Sequence, residues 1–394
     1  MNAIKINGFQ AGGIACGLKK NGKNDLGLIV SGVSANVAGV FTRNRVQAAP
    51  VRLARDRIRT GTCRAVVVNS GNANCCTGPR GVQDARAMAR SVGEAIDVPE
   101  DQVLVASTGV IGVPLDVDKI TSAVTDLADA CREDGWPDLA AAMMTTDTTP
   151  KVAFRATHLN GGVFHVLGVA KGAGMIRPDM ATMLCFVVSD VQVSSSRMRE
   201  MIKLGADRSF NRITVDGDMS TNDTLLFLAN GTSGVVVENR EQQAAVQDAL
   251  DDVLLRLAKM CVKDGEGATK LVEIVVRGGA SDGEARRVAD TVADSSLVKT
   301  ALFGEDANWG RILAAAGRSG VPIDPDTVDV QFDGVTMVKD GLGCGKAAEA
   351  AATAVLKKPE FTIAIDLHMG TGTAAVFTCD LSVDYVKINA DYRS

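Results

Sequence analysis

Short apolar runs bounded by glycine, alternating with stretches of helical periodicity, confine this chain to a fold of stacked sheets and helices. The runs are "RAVVVNS" from Arg64, "QVLVAST" from Gln102, "VFHVLGVA" from Val163, "MLCFVVSD" from Met183, "TLLFLAN" from Thr224 and "KLVEIVVRG" from Lys270. Each has the length and flanking residues of a strand. Helical spacing is clearest in "REQQAAVQDALDDVLLRLAKMCVK". There Val246, Leu250, Val253, Leu254, Leu257 and Cys261 share one face, and charged residues take the other. Shorter amphipathic segments run over 82–96, 118–131 and 195–206. The expected class is α/β (α+β), with sheet and helix in layers. No internal repeat of about 20 to 50 residues breaks that pattern.

The texture changes after about Gly278. A polar stretch, "RGGASDGEARR", leads to a helix near Trp309 to Gly317, and then to the strand-like runs "TVDVQFDGVTMV", "EFTIAIDLHMG" and "TAAVFTCDLSVDYVKI". With 394 residues there is length for two domains. The expectation is a larger catalytic lobe over 1–278 and a smaller mixed α/β lobe over 279–394.

Charge and composition remove several function classes. A net charge of −5, with no basic run, gives no electrostatic basis for a nucleic-acid partner. No stretch of about 18 apolar residues suits a membrane span, and the first twenty residues lack the pattern of a secretion signal. Nine cysteines, odd in number and scattered, suit a reducing compartment, so the expected location is cytoplasmic. No paired Cys/His spacing suggests a metal, and Cys75 and Cys76 are adjacent rather than separated by two residues.

Several stretches invite a chemical reading beside a plainer one. "ASTGVIG" (Ala106 to Gly112) is a strand-to-helix turn or an oxyanion site, where backbone N–H groups and the Thr108 hydroxyl converge. "DGEGATK" sets Glu266 between two glycines at a helix end, either as a solvated acid or as a partner for a cationic substrate group. "VDGDMSTNDTLL" and "MTTDTTPK" crowd acids and hydroxyls, Asn222 among them, into turns, and in isolation a turn is the commoner meaning. "GLGCGK" lacks the spacing of a phosphate loop and reads as a turn before a helix.

The stretch "KGAGMIRPDMATMLCFVVSD" sets one hydroxyl, Thr182, between a glycine-rich turn and an apolar run. A threonine at a strand start is ordinary. The scarcity of histidine raises a second reading, because a hydroxyl nucleophile needs a base. Only His158, His165 and His368 occur, and none has a local relationship to a serine or threonine that suggests a triad. An N-terminal threonine carries its own base, an α-amine with a pKa of about 7.7 to 8. Thr182 reaches that state if its hydroxyl attacks the Ala181 carbonyl, shifts the acyl group from nitrogen to oxygen, and water completes the cut. Small Ala181, with Gly172 and Gly174, gives the backbone room for that attack.

These residues also carry a family resemblance. "KGAGMIRPDMATML", "ASTGVIG", "MTTDTTPK", "NSGNANCCTG", "KDGEGATK", "FGEDANWGRI" and the terminal "YVKINADYRS", spread along nearly the whole chain, closely resemble the ornithine acetyltransferases of arginine biosynthesis, also called glutamate N-acetyltransferases. The resemblance implies an N-terminal-nucleophile-like fold of the ornithine acetyltransferase/β-aminopeptidase type. It implies a self-cut between Ala181 and Thr182 into α (1–181) and β (182–394) chains that stay together, typically as α2β2. Thr182 then takes the acetyl group from N2-acetyl-L-ornithine as an ester and passes it to L-glutamate in a ping-pong cycle. Thr108 and Gly109 correspond to the oxyanion pair. Substrate contacts carry over to Lys171, Thr182, Glu266, Asn389 and Ser394, with a further one in the threonine cluster at Thr145 or, second, Thr148. No metal or organic cofactor is implied, and acetyl-CoA is a candidate co-substrate. "IRPDM" and Ser394 depart slightly from the family pattern and bear on specificity. The competing expectations are a β-aminopeptidase-like hydrolase, which would lose the acyl group to water, and a silent small-molecule binder.

Overall fold

All six apolar runs become strands in the computed structural model, which describes residues 4–177 and 183–391. Ala181, Thr182 and Ser394 lie outside the described residues. The chain divides into two units. One takes in the chain up to Asn211 together with Asp218–Cys261, and the other Arg212–Gly217 and the chain from Val262 onward.

The first unit begins with β1 (Phe9–Ile14), β2 (Leu26–Phe41), α1 (Ala49–Arg57), β3 (Thr62–Asn72) and α2 (Gly78–Ala95). Next come β4 (Val103–Val110), α3 (Val117–Asp129), α4 (Trp136–Met143), β5 (Lys151–Leu159), β6 (Gly162–Lys171), β7 (Leu184–Ser189) and α5 (Ser195–Arg208). After β8 (Ile213–Thr214), which belongs to the second unit, β9 (Thr224–Ala229) and most of α6 (Arg240–Lys263) complete the first. Its eight-stranded sheet has the order β4-β3-β2-β9-β7-β6-β5, with β1 beside β2. The β3/β4 and β7/β9 pairs are parallel, and the others are antiparallel.

Every residue of β7 and β9 is buried, which is why these strands read as unbroken apolar runs instead of alternating ones. One face packs Leu184, Phe186, Val188, Leu226 and Leu228 with Trp136, Leu139 and Met143 of α4. On the other, α6 comes so close that a Cβ on Gly168 would sit 2.6 Å from Leu257 Cδ1. Each such side chain contributes roughly 1.5–3 kcal/mol by leaving water.

In the second unit β8 joins β10 (Leu271–Gly279), α7 (Asp282–Ala293), α8 (Ser296–Phe303), α9 (Trp309–Gly317), β11 (Asp329–Phe332) and β12 (Val335–Lys339). The remainder is β13 (Leu342–Gly343), α10 (Lys346–Leu356), β14 (Glu360–Asp366), β15 (Gly372–Cys379) and α11 (Val383–Asp391). The sheet order is β13-β12-β11-β14-β10-β15-β8. This moves the expected lobe boundary. β10 lies inside the second sheet, parallel to β14 and antiparallel to β15, so 262–278 belong with the C-terminal strands. The polar stretch around Gly278 is the end of β10, a two-residue link and the exposed start of α7, all within the unit. The last strand-like run also divides: pairing of β15 ends at Cys379, and α11 starts soon after, its first turn held by the Tyr385 N–H on Ser382 Oγ.

Candidate active site

The sheet of the first unit gathers three strand ends. Lys171 closes β6 and pairs with Leu184, which opens β7, and Leu184 pairs in turn with Thr224, which opens β9. Lys171 is a charge brought into a mostly buried place, with 8% of its surface exposed. Its ammonium donates to Thr145 Oγ1 at 2.8 Å and to Thr108 Oγ1 at 3.3 Å, and lies 3.9 Å from Asp147 Oδ2. Because the ammonium only donates, both hydroxyls accept from it, and each keeps its own proton for another acceptor.

Asp147 is the hub beneath this cluster. Its Oδ1 accepts from Lys151 Nζ at 2.7 Å and from the Gly172 N–H at 2.7 Å, while Oδ2 accepts from the Thr145 N–H at 3.0 Å. Burial pushes this carboxyl up, but the charges of Lys171 and Lys151 and these hydrogen bonds outweigh it and hold the acid well below the usual range. One carboxylate thus faces two buried ammoniums. A third cation stands near: burial, with repulsion from Lys171, lowers Lys19 to about 8, opposed by Asp25 and Asp147. The local balance favours an anion.

Thr108 and Gly109 sit near the end of β4. Gly109 has φ of +131° and pairs with Gly71 of β3, and a Cβ there would run into the Gly71–Asn72 peptide, so no other residue fits. Side chains pin the strand end from behind. Asn222 Nδ2 donates to Ala73 O at 2.6 Å and to Ser107 O at 2.8 Å, and Ser107 Oγ donates to Asn69 Oδ1 at 2.6 Å. Thr148, the second choice within the threonine cluster, is exposed, whereas Thr145 carries the bond from Lys171.

Glu266 and Asn389 belong to the second unit, where Asn389 Nδ2 donates to Glu266 Oε2 at 2.7 Å. Glu266 is buried, so the plainer reading of a solvated helix-end acid does not hold. Gly267, at φ +68°, lets this turn press against the backbone at the start of α11. His165, the fourth residue of β6, makes its 2.7 Å contact with Asp190 six residues and about 20 Å of strand from Lys171. Among the described residues no three His, Cys, Asp or Glu side chains gather as a metal site, and no helix is long and apolar enough to cross a membrane.

The sequence model of the ArgJ family matches residues 10–394. The chain belongs to the ArgJ family. It is 52% identical over 393 residues to the "Arginine biosynthesis bifunctional protein ArgJ" of Geobacter sulfurreducens, covering 99% of this chain and 100% of that one. It is 50% identical over 394 residues to the protein of the same name from Syntrophotalea carbinolica, again covering 99% and 100%. Among solved structures, it is similar to the ornithine acetyltransferase complexed with ornithine from Mycobacterium tuberculosis. There the identity is 38%, covering 46% of this chain and 98% of that chain, with a TM-score of 0.41.

Two buried acids near Lys171 drew no separate reading from the sequence of this ArgJ-family chain. Asp147 sits inside the quoted threonine cluster, and its signal was a single acid in a hydroxyl run, four residues before the lysine that opens β5. Asp223 follows Asn222 in the quoted "STNDT" turn, and nothing local distinguishes it from the other acids there.

Proposed function

We propose that this chain carries out the acetyl exchange of arginine biosynthesis, from N2-acetyl-L-ornithine to L-glutamate, with Thr182 as the carrier. Membership of the ArgJ family supports this, and one observation carries the chemistry. Lys171 binds both Thr108 and Thr145 at the C-terminal end of β6, the strand that pairs with β7, and β7 starts two residues after Thr182. The chain first cuts itself between Ala181 and Thr182, which gives Thr182 an α-amine as its base. The hydroxyl then adds to the acetyl carbonyl, and its proton passes to the amine. Negative charge on the former carbonyl oxygen meets the Thr108 O–H and the backbone at Gly109. Collapse breaks the C–N bond, the departing nitrogen of ornithine takes the proton, and the acetyl group stays on Thr182 as an ester. Glutamate reverses these steps with its own amine.

Both substrates carry an α-carboxylate, and Lys171 with Thr145 is suited to hold it. Glu266, accepting from Asn389, is suited to ornithine's side-chain ammonium, with Ser394 as a further contact. The exchange balances without a metal or an organic cofactor. Acetyl-CoA as a second donor, association of the two chains as α2β2 and residence in the cytoplasm belong to the same proposal.

The test is to incubate purified protein with N2-acetylornithine, with and without glutamate. Ornithine release that depends on glutamate, matched by N-acetylglutamate, is the expected result. Free acetate formed at the same rate without glutamate would establish a hydrolase instead. A parallel assay with acetyl-CoA as sole donor decides the second activity.

A further inference from the structure

The turn before β9 holds an acid that the described residues do not balance. Asp223 is 1% exposed, and its Oδ2 is buried with no hydrogen-bond partner among the described residues. A carboxylate left so is strongly unfavourable. Burial accordingly pushes this carboxyl well above the ordinary range, and Ser220, the charge of Lys171, Thr42 and the Met183 N–H, all close by, offset only part of that.

The backbone keeps this acid beside one particular peptide. The Thr224 N–H donates to Met183 O at 2.9 Å, and the Thr42 N–H donates to Asp223 O at 3.0 Å. Thr42 Oγ1 also donates to Ser220 O at 2.7 Å, and Asn222 ties the same turn to the Ser107 carbonyl, one residue before Thr108. Asp223 therefore sits against Met183, the residue that follows Thr182 in the chain, on a turn that also braces the end of β4.

Cutting the chain before residue 182 changes the charge at this place. The peptide nitrogen of Thr182 becomes an amine, a cation that the uncut chain lacks. We propose that Asp223 is the positioning residue of this new N-terminus, pairing with the α-amine created by cleavage and holding it against the Thr182 hydroxyl. The inference rests on the reading of Thr182 as nucleophile and adds the residue that aims its base. Protons balance in each step. Hydrolysis of the Ala181 ester yields a carboxylate and releases one proton to solvent, while the proton on the Asp223 carboxyl moves to the free amine, leaving carboxylate and ammonium as a pair. During acetyl transfer that proton returns to Asp223, which frees the amine to accept the one from the hydroxyl.

Asp223→Asn keeps the shape and removes the charge. In the cut variant, kcat for acetyl transfer is expected to fall by at least about 100-fold, the scale of a lost proton-transfer partner, with KM for N2-acetylornithine within about threefold of wild type. A general loosening of the fold would move KM and the unfolding midpoint as well. A cut Asp223→Asn chain with kcat within about threefold of wild type overturns the role of Asp223 alone, since the wild type is then still a cut and active enzyme. A wild type that is neither cut nor active removes the nucleophile reading, and this inference with it. Should the variant fail to fold, a crystal structure of the cut wild-type chain decides. An Asp223 oxygen within about 3.2 Å of the Thr182 nitrogen is the expected result, and a carboxyl out of hydrogen-bond reach of that nitrogen is the contrary one.

Discussion

Thr182→Ala is expected to leave one full-length chain and to lower acetyl transfer by at least about 10³-fold. Alanine removes the oxygen that attacks the Ala181 carbonyl, so no fragments form and no α-amine appears. It also removes the atom that would carry the acetyl ester, so base and nucleophile are lost together. Intact-mass measurement reads the first consequence and the glutamate-dependent assay the second. Thr182→Ser keeps a hydroxyl and should still show some processing. Normal turnover by an uncut Thr182→Ala chain would remove the nucleophile from this account.

The second large effect is one of stability. Asp147→Ala strips the carboxylate bonded to Lys151, whose side chain is 1% exposed, and leaves the Gly172 N–H without its acceptor. Removing one partner of a buried charge pair typically costs about 3–5 kcal/mol, because the remaining charge stays buried without its counter-charge. Urea unfolding, followed by a probe in the first unit, is expected to show a loss of that order, together with a raised KM as Lys171 loses its anchor. Its pH dependence has a definite sign. The folded carboxyl is held below its unfolded value of about 3.9, so its contribution is complete above about pH 4 and is lost as the pH falls through the folded value. The gap between wild type and Asp147→Asn should therefore be widest at neutral pH and close in acid. A gap that grows on acidification would contradict the arrangement of charges around Asp147.

The fold was legible where sequence pattern and burial coincide. β7 and β9 are covered on both faces, so their apolar runs are continuous, and α6 carries an apolar stripe long enough to stand out. β2 was not picked out, because small residues (Gly32, Ala35, Ala38 and Gly39) interrupt its apolar pattern, and its register shifts between Val30 and Ala35. The lobe boundary was misplaced for a related reason. The change in polarity after Gly278 marks the exposed start of α7, whereas membership of a unit depends on which strands β10 pairs with, and pairing at such separations leaves no local trace.

The site divides in the same way. Thr108, Gly109, Thr145 and Lys171 stand in quoted motifs, and the fold brings the lysine to both hydroxyls. Asp147 and Asp223 acquire meaning only from burial. One acid is held ionised by two ammoniums and the other is left with an oxygen that has no partner among the described residues, a distinction that two aspartates in hydroxyl-rich turns do not carry in their spacing.

The most direct measurement is to locate the acetyl group itself. Protein incubated with N2-acetylornithine in the absence of glutamate, quenched in acid and digested, should yield a peptide beginning at Thr182 that carries one acetyl ester and loses it when glutamate is added before the quench. An acetyl group found on any other side chain, or a full-length chain that turns over without carrying one, would contradict the account.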